Sequence, residues 1–429
     1  MSIADYRPET IAVQGGYEPE STYRTISVPI YQSNAYDFES VENAANRFNL
    51  SSAGNIYTRI TNPTVSVLEE RVSQLENGIG AVAFASGHAA IFNTMLNLAC
   101  AGDEIVSSAQ IYGGAINLLG YTLKNIGIET KFVDADDFDQ WEEAITDKTR
   151  AFFVEMVGNP NANVADLEKI VEIAHRHGIP VVVDSTFTPP SLITPIQFGA
   201  DIVVHSATKY LGGQGNSMGG IVVDSGNFTW AENPRFPLYN KPDPSYHGLV
   251  FAKDVGNAGF ITRLRTQLLR DVGACLSPMN AFLILNGIET LFLRMPRHCE
   301  NAQATAEFLE NHPLVEKVHY PLLPSNEYYV LAQKYLPKGV GSVFTFELKG
   351  GREAGIRFLD ALELFRIVAN VGDTKSLAIH PASTTHSQLS EEQLMAGGIT
   401  SGTVRLSVGI ENIDDILADL SQALDASGK

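Results

Sequence analysis

The chain has 429 residues, and its 30 basic and 49 acidic residues give a net charge of −19 at pH 7. At roughly 150 residues per domain, this length predicts two to three domains, with a core large enough to form without disulfides. The acidity argues against ligands with anionic surfaces, so we expect neither nucleic acid nor membrane partners. No apolar run approaches the roughly 18 residues of a membrane span, and we expect a cytoplasmic protein.

Residues 1–60 are rich in Tyr, Asn, Ser and Pro and have no sustained hydrophobic period. This composition predicts an extended arm with short helical pieces rather than a domain with its own core. Such an arm gains stability by lying on another surface, and we expect that surface to belong to a neighbouring subunit.

Residues 61–260 alternate between short apolar runs and longer segments with helical spacing. The apolar runs lie at 80–86, 104–107, 128–134, 150–158, 179–184, 200–205 and 219–224. Valine-rich strands without polar alternation are covered on both faces, which is typical of a parallel or mostly parallel α/β sheet. The pattern therefore predicts an α/β domain over 61–260.

Residues 261–429 begin with helical periodicity and later contain alternating runs at 341–348 and 403–408, typical of half-buried strands. We interpret this part as a linking helix followed by a smaller C-terminal α+β domain. A cleft is expected between this domain and the larger one.

The three cysteines, Cys100, Cys275 and Cys299, are widely spaced. The sequence contains no Cys-x-x-Cys pair and no cysteine and histidine cluster at metal-ligand spacing. Because free cysteine is among the residue types most often buried, we expect three reduced, mostly buried thiols and no metal site.

Polar residues follow four of the predicted strands, where open α/β sheets bind ligands. These segments are Ser86-Gly87-His88, Gly158-Asn159-Pro160, Asp184-Ser185-Thr186 and the run from His205 to Lys209. Each segment alone is a weak signal, since a helix cap, a turn or a solvated lysine explains it. Four such segments at one edge of a sheet are much better explained by a binding site.

The combination of these groups suits pyridoxal 5′-phosphate. Lys209 offers the amine that forms an imine with the aldehyde, and Asp184 offers a counter-ion that keeps the pyridine nitrogen protonated. Backbone amides at a helix N-terminus and nearby hydroxyls suit the phosphate. A dinucleotide-binding oxidoreductase is disfavoured because no G-x-G-x-x-G follows the first strand. A catalytically silent binding protein is disfavoured because Lys209, Asp184 and Arg405 are all present.

Several motifs resemble the Cys/Met-metabolism family of fold-type I pyridoxal-phosphate enzymes. They are 206–210 with the glycine run that follows, 184–186, and Tyr57-Thr58-Arg59. Segments 369–373, 375–386 and 405–411 are most similar to the O-acetylhomoserine sulfhydrylases within this family. The resemblance implies a fold type I PLP-dependent transferase, with a mostly parallel central sheet and a smaller C-terminal α+β domain.

The resemblance also implies a role for each matching position. Lys209 would be the Schiff-base lysine, Asp184 would pair with the pyridinium nitrogen, and Asn159 would bond the ring hydroxyl oxygen. Tyr112 would stack on the ring and take part in departure of the leaving group. The remaining cofactor contacts would be Ser86, Thr186, the Gly87 and His88 amides, the Ser206 and Thr208 hydroxyls, and Tyr57 and Arg59 from a neighbouring subunit. Arg405 and Asn370 would bind the substrate carboxylate.

The implied reaction is γ-replacement on O-acetyl-L-homoserine with sulfide or methanethiol, giving homocysteine or methionine plus acetate. The implied assembly is a homotetramer of dimers that share active sites. Cystathionine γ-synthase or methionine γ-lyase activity is the alternative. Asn370-Val-Gly, where those enzymes commonly carry Ser-Leu-Gly, and Gly114, where the lyases tend to carry cysteine, favour the sulfhydrylase. His88 stands where the family usually has methionine or glutamine, so the sequence leaves the role of its side chain open.

Overall fold

The larger of two β-sheets forms the framework of the molecule, whose computed structural model describes residues 6–49, 51–384 and 400–428. Its strands are β1 (Gly80–Phe84), β2 (Glu104–Ser108), β3 (Glu129–Val133), β4 (Thr149–Glu155), β5 (Val181–Asp184), β6 (Ile202–His205) and β7 (Gly220–Asp224). Their spatial order is β1-β7-β6-β5-β4-β2-β3, and only β7 runs antiparallel to its neighbours. The prediction of a mostly parallel central sheet is confirmed.

A second, smaller sheet lies in the C-terminal part of the chain. Its strands are β8 (Val315–His319), β9 (Val343–Leu348), β10 (Arg366–Ile367), β11 (Leu377–Ile379) and β12 (Thr403–Ser407). They are arranged β10-β11-β12-β9-β8, and all neighbouring pairs except β10 and β11 are antiparallel. The fold class expected from the sequence is therefore present, whereas the proposed boundaries at residues 60 and 260 stay predictions.

Helices cover both sheets and form the connections. The α-helices of the described residues are α1 (Pro8–Gln14), α2 (Val41–Phe48), α3 (Pro63–Glu76), α4 (Gly87–Leu98), α5 (Gly113–Asn117), α6 (Phe138–Glu143), α7 (Leu167–Arg176), α8 (Pro237–Asn240), α9 (Gly259–Arg263), α10 (Pro278–Glu289), α11 (Leu291–Glu310), α12 (Tyr329–Tyr335), α13 (Gly351–Ala361) and α14 (Ile413–Ser427). Short 3₁₀ or π-helical segments lie at Leu118–Thr122, Lys124–Ile126, Pro195–Phe198, Pro244–Tyr246, Phe251–Val255, Gly256–Ala258, Leu264–Val272 and Pro381–Ser383. None of the described helices is long and apolar enough to cross a membrane.

The larger sheet is buried on both faces, as its near-continuous apolar strands require. Successive residues of a strand point to opposite faces. Along β5, Val182 joins the hydrophobic cluster under α4, and Val183 joins the cluster under α3 and α7. Each buried valine contributes about 1.5–3 kcal/mol of hydrophobic stabilisation. This double packing holds the carboxyl ends of β4, β5 and β6 rigidly at one edge.

The beginning of the N-terminal arm packs on its own chain. Ile11 of α1 is buried, and the buried Arg71 of α3 donates from Nε to the Gly15 carbonyl at 2.8 Å. Farther along the arm, the side chains of Tyr23 and Ile26 are 80% and 88% exposed. Helix α1 thus lies on its own chain, and contact of the arm with a neighbouring subunit stays a prediction.

The cysteines are free, but burial differs among them. Cys299 is buried, Cys275 is half-buried and Cys100 is exposed. The expectation of mostly buried thiols is wrong for Cys100, because this residue follows the end of α4 in the surface turn that leads to β2.

Candidate active site

A cavity of about 210 Å³ lies where the carboxyl ends of the central strands face the smaller sheet. Twelve of the residues expected to form a site line it: Ser86, Gly87, His88, Tyr112, Asn159, Asp184, Thr186, Ser206, Thr208, Lys209, Asn370 and Arg405. Residues more than 300 positions apart in the sequence are thereby brought together. Ile91, Glu155, Val157, Phe187, Met218, Ala369 and Val371 complete the lining.

The N-terminus of α4 forms one end of the cavity. Ser86 caps this helix, since its hydroxyl accepts a hydrogen bond from the Ala89 amide at 3.1 Å. The Gly87 and His88 amides are the first two of the helix and have no acceptor within it. A Cβ atom on Gly87 would lie 2.6 Å from Cβ of Ser206, so only glycine lets the helix end approach this close. Free amides and the helix dipole make this end a site for an anion such as phosphate.

Hydroxyl groups from two strand ends lie beside the α4 terminus. The Thr186 hydroxyl accepts from the Ser206 amide at 2.8 Å, and the Thr186 amide donates to a carboxylate oxygen of Asp184 at 2.9 Å. The Thr208 hydroxyl donates to the Gly219 carbonyl at 3.2 Å and accepts from its amide at 3.1 Å. These bonds tie the segments after β5 and β6 into one rigid wall.

Two carboxyl groups from neighbouring strands stand side by side in the cavity wall. Glu155 ends β4, Asp184 ends β5, and the two residues are in register. Burial raises the pKa of both carboxyl groups, and the charge of Asp184 raises the pKa of Glu155 further. A cation bound against this pair would be stabilised. The sequence reasoning missed Glu155, although it is the only charged residue in the apolar run 151–157.

The Lys209 amine projects into the cavity from the segment after β6. Its Nζ donates to the side-chain oxygen of Asn370 at 2.6 Å. Burial, and then the positive charge of Arg405, lower the pKa of Lys209 to about 8. A substantial fraction of this amine is therefore neutral near physiological pH, as a nucleophile or base requires.

Arg405 reaches the cavity from β12 of the smaller sheet. Its guanidinium is buried, and Nη1 donates to the side-chain oxygen of Asn159 at 3.3 Å. Among the described residues, no carboxylate lies within ion-pair distance of Arg405, and burial lowers the pKa of Arg405 to about 10. A buried cation without a counter-ion is costly, so this position favours a ligand that carries a carboxylate.

His88 and Tyr112 form an aromatic pair at the mouth of the cavity. Their ring centroids are 5.6 Å apart and the rings are inclined by 76°. A Cβ atom on Gly114 would lie 2.5 Å from the Tyr112 ring and 2.9 Å from the His88 ring. Glycine at 114 therefore makes room for this edge-to-face pair, which gives the His88 side chain a place in the site.

Tyr57 and Arg59 lie away from the cavity of their own chain. The Arg59 guanidinium is 5.5 Å from the Tyr57 ring centroid, and its Nη1 donates to the Arg270 carbonyl. Their contact with the phosphate of a neighbouring subunit stays a prediction. Thr385 and His386, the last two residues of a segment that carries the family resemblance, lie outside the described residues.

The groups that line the cavity fit pyridoxal phosphate. Lys209 offers the amine, Asp184 offers negative charge for a protonated ring nitrogen, and α4 offers the anion site. The close approach at Gly87 fits a phosphate in particular, because a side chain there would fill the cradle. Nowhere in the described ranges do three or more His, Cys, Asp or Glu side chains form a group that could hold a metal ion.

Comparisons with known proteins agree with this geometry. An O-acetyl-L-homoserine sulfhydrylase of Leptospira meyeri is 50% identical, over 98% of this chain and 97% of that protein. A homocysteine synthase of Schizosaccharomyces pombe is 47% identical over the whole of both chains. A crystal structure of a Campylobacter jejuni protein named as an O-acetylhomoserine (thiol)-lyase, with N′-pyridoxyl-lysine-5′-monophosphate, is 46% identical and superposes with a TM-score of 0.94 over 98% of this chain and 100% of that one.

Residues 9–425 match the family described as Cys/Met metabolism PLP-dependent enzymes. This match covers both sheets and every residue that lines the cavity. The chain is thus a member of the Cys/Met metabolism family of PLP-dependent enzymes.

Proposed function

We propose that this enzyme replaces the acetoxy group of O-acetyl-L-homoserine with sulfide, giving homocysteine and acetate. The observation that carries the proposal is full-length similarity, at 44–50% identity, to proteins named O-acetyl-L-homoserine sulfhydrylase, homocysteine synthase or homocysteine/cysteine synthase. The cavity supports it, because one end suits a phosphate, one wall suits a protonated ring, and Arg405 suits the carboxylate of an amino acid.

Pyridoxal phosphate, when bound, supplies an electron sink that makes C–H bonds of an attached amino acid acidic. Lys209 is the group of this chain that moves protons, since its pKa of about 8 allows the amine both to take and to return a proton. Asn370 restrains the amine through its 2.6 Å contact with Nζ. Asp184 would hold a negative charge that stabilises the protonated ring nitrogen of the bound cofactor.

Substrate selection begins at Arg405. Its guanidinium can form a bidentate pair with the substrate carboxylate, and burial excludes the water that would weaken this pair. The contact with Asn159 links the carboxylate site to the cofactor site. Tyr112 stands on the open side of the cavity, where we assign it the contact with the ring face and the leaving group.

Finer features belong to the proposal as predictions. We expect methanethiol to act as a second sulfur donor, giving methionine. We expect dimers in which Tyr57 and Arg59 complete the partner's phosphate site, paired into tetramers. A cytoplasmic location remains a prediction from composition.

The test is incubation of the protein, loaded with pyridoxal phosphate, with O-acetyl-L-homoserine and sulfide, followed by mass spectrometry. We expect homocysteine and acetate in equal amounts. Parallel reactions replace sulfide with cysteine, or supply methionine alone. A faster reaction with cysteine, giving cystathionine, would replace the proposal with a cystathionine γ-synthase. Rapid release of ammonia and a 2-oxo acid from methionine would replace it with a lyase.

A further inference from the structure

We infer that Glu155 is a positioning residue that fixes Tyr112 and Asn159 relative to each other in the cofactor site. The inference rests on the pyridoxal-phosphate site of the proposed function but not on the identity of the substrate. Glu155 lines the cavity, and its side chain is 7% exposed.

The Glu155 carboxylate bonds the backbone of two different loops. Its Oε1 accepts a hydrogen bond from the Tyr112 amide at 2.8 Å. The Asn159 amide also donates to this carboxylate. Tyr112 lies in the loop after β2, whereas Asn159 lies in the turn after β4. One side chain at the end of the central sheet therefore sets the spacing between two loops that both contribute to the cofactor site.

The Tyr112 backbone is held at two points: its amide donates to Glu155, and its carbonyl accepts the Ala115 and Ile116 amides of α5 at 2.8 and 3.0 Å. Tyr112 occupies the N-cap position of α5, where its own side chain makes no capping bond. Two glycines, Gly113 and Gly114, follow it, and glycine lets a loop sample many conformations. Tyr112 is 46% exposed, and its ring packs edge-to-face on His88. The α5 bonds are local to the loop, whereas the bond to Glu155 ties the Tyr112 backbone to the end of β4 in the central sheet.

A second carboxylate beside Asp184 is unfavourable for stability alone, because burying like charges together costs free energy. A glutamine at 155 would be neutral, but it offers one oxygen where the carboxylate offers two. Glutamate can accept the two amides on different oxygens, whereas glutamine would have to accept both on its one oxygen. We therefore attribute the glutamate at residue 155 to its hydrogen bonds with the two loops.

The test measures the dissociation constant of pyridoxal phosphate and the absorption spectrum of the bound cofactor, both without substrate. The variants are Glu155→Ala, which removes both bonds, and Glu155→Gln, which retains one acceptor. The matched control is Glu69→Gln, because Glu69 is also buried and accepts the Ala83 amide at 2.8 Å but lies outside the cavity. We expect Glu155→Ala to weaken cofactor binding about tenfold or more and Glu155→Gln about threefold. Glu69→Gln should change binding less than about twofold even where it lowers the melting temperature.

A double-mutant cycle with Tyr112→Ala separates positioning from general stability. If Glu155 acts through Tyr112, the effect of Glu155→Gln on cofactor affinity shrinks when the ring is already absent. Wild-type affinity and spectrum in both Glu155 variants would overturn the inference. The inference would also be overturned if Glu69→Gln lost as much cofactor affinity as Glu155→Gln while its melting temperature fell by the same amount. If Glu155→Ala does not fold, the Glu155→Gln variant and the double-mutant cycle still test the inference. Because no substrate is used, failure here leaves the proposed reaction standing, and failure of the reaction leaves this result standing.

Discussion

The edge of the central sheet and the end of the N-terminal arm, where Tyr57 and Arg59 lie, are built in opposite ways. At the sheet edge, strands packed on both faces hold Asp184 and Lys209 in place, and hydrogen bonds fix the segments between them. In the arm, Val41 is 86% and Tyr57 41% exposed, and the Arg59 guanidinium contacts the Tyr57 ring and the Arg270 carbonyl.

The difference indicates that the site residues are held in place in two ways, by contacts within one chain and by contacts that assembly would supply. The groups assigned to chemistry are preorganised within the chain, so they should function wherever the chain is folded. Tyr57 and Arg59, which we assign to the phosphate, lie outside the cavity of their own chain, so their contribution to activity should depend on assembly. The following experiments test this division, from the largest expected effect to the smallest.

Lys209→Ala should lower turnover by at least about a thousandfold, because no other described amine reaches the cavity to move protons. The melting temperature should stay close to that of the wild type, since the strands do not depend on this amine. The measurement is initial rate with O-acetylhomoserine and sulfide. Lys338→Ala, at an exposed position, is the control. Turnover within tenfold of the wild type would remove Lys209 from the chemistry.

Arg405→Lys should raise the KM for O-acetylhomoserine about ten- to hundredfold, because lysine cannot form the bidentate pair. Cofactor affinity should change little. Steady-state kinetics and cofactor titration measure the two effects separately, and Arg352→Lys, on the exposed surface of α13, is the control. An unchanged KM would mean that the substrate carboxylate binds elsewhere.

Arg59→Ala should lower activity about tenfold by removing a charge-assisted contact to the phosphate. Co-expression with Lys209→Ala should then raise activity to about a quarter of the wild type, because half of randomly formed dimers are mixed and each mixed dimer has one intact site. Activity no higher than half that of Arg59→Ala alone would show that each chain completes its own site.

The pH dependence of cofactor capture should follow Lys209. The protonated amine cannot attack the aldehyde, so the capture rate of cofactor-free protein should rise with pH and level off above about 8. In Arg405→Leu the midpoint should move upward, because a neighbouring positive charge has been removed. Stopped-flow absorbance measures both profiles. A midpoint unaffected by the substitution would assign the low pKa to burial alone.

The sequence predicted the features that follow from local residue patterns. It missed those that depend on contacts between distant segments. Each of the seven apolar runs overlaps a strand of the larger sheet, and polar residues at the ends of four of these runs line the cavity. The antiparallel direction of β7 was not predicted, because an apolar strand looks the same in either direction. Glu155 was overlooked within its apolar run, because the role we infer for it depends on a hydrogen bond from the Tyr112 amide, which lies 43 residues earlier in the chain.

The proximity of Arg405 and Lys209 has one further consequence. The guanidinium lowers the basicity of the amine while the carboxylate site is vacant. With the roles proposed for these residues, a substrate carboxylate that pairs with this guanidinium would let the Lys209 amine, once released from its imine, regain proton affinity. Lys209 would then be a stronger base when it has to hold a substrate proton, so that substrate binding at Arg405 would favour proton transfer at Lys209.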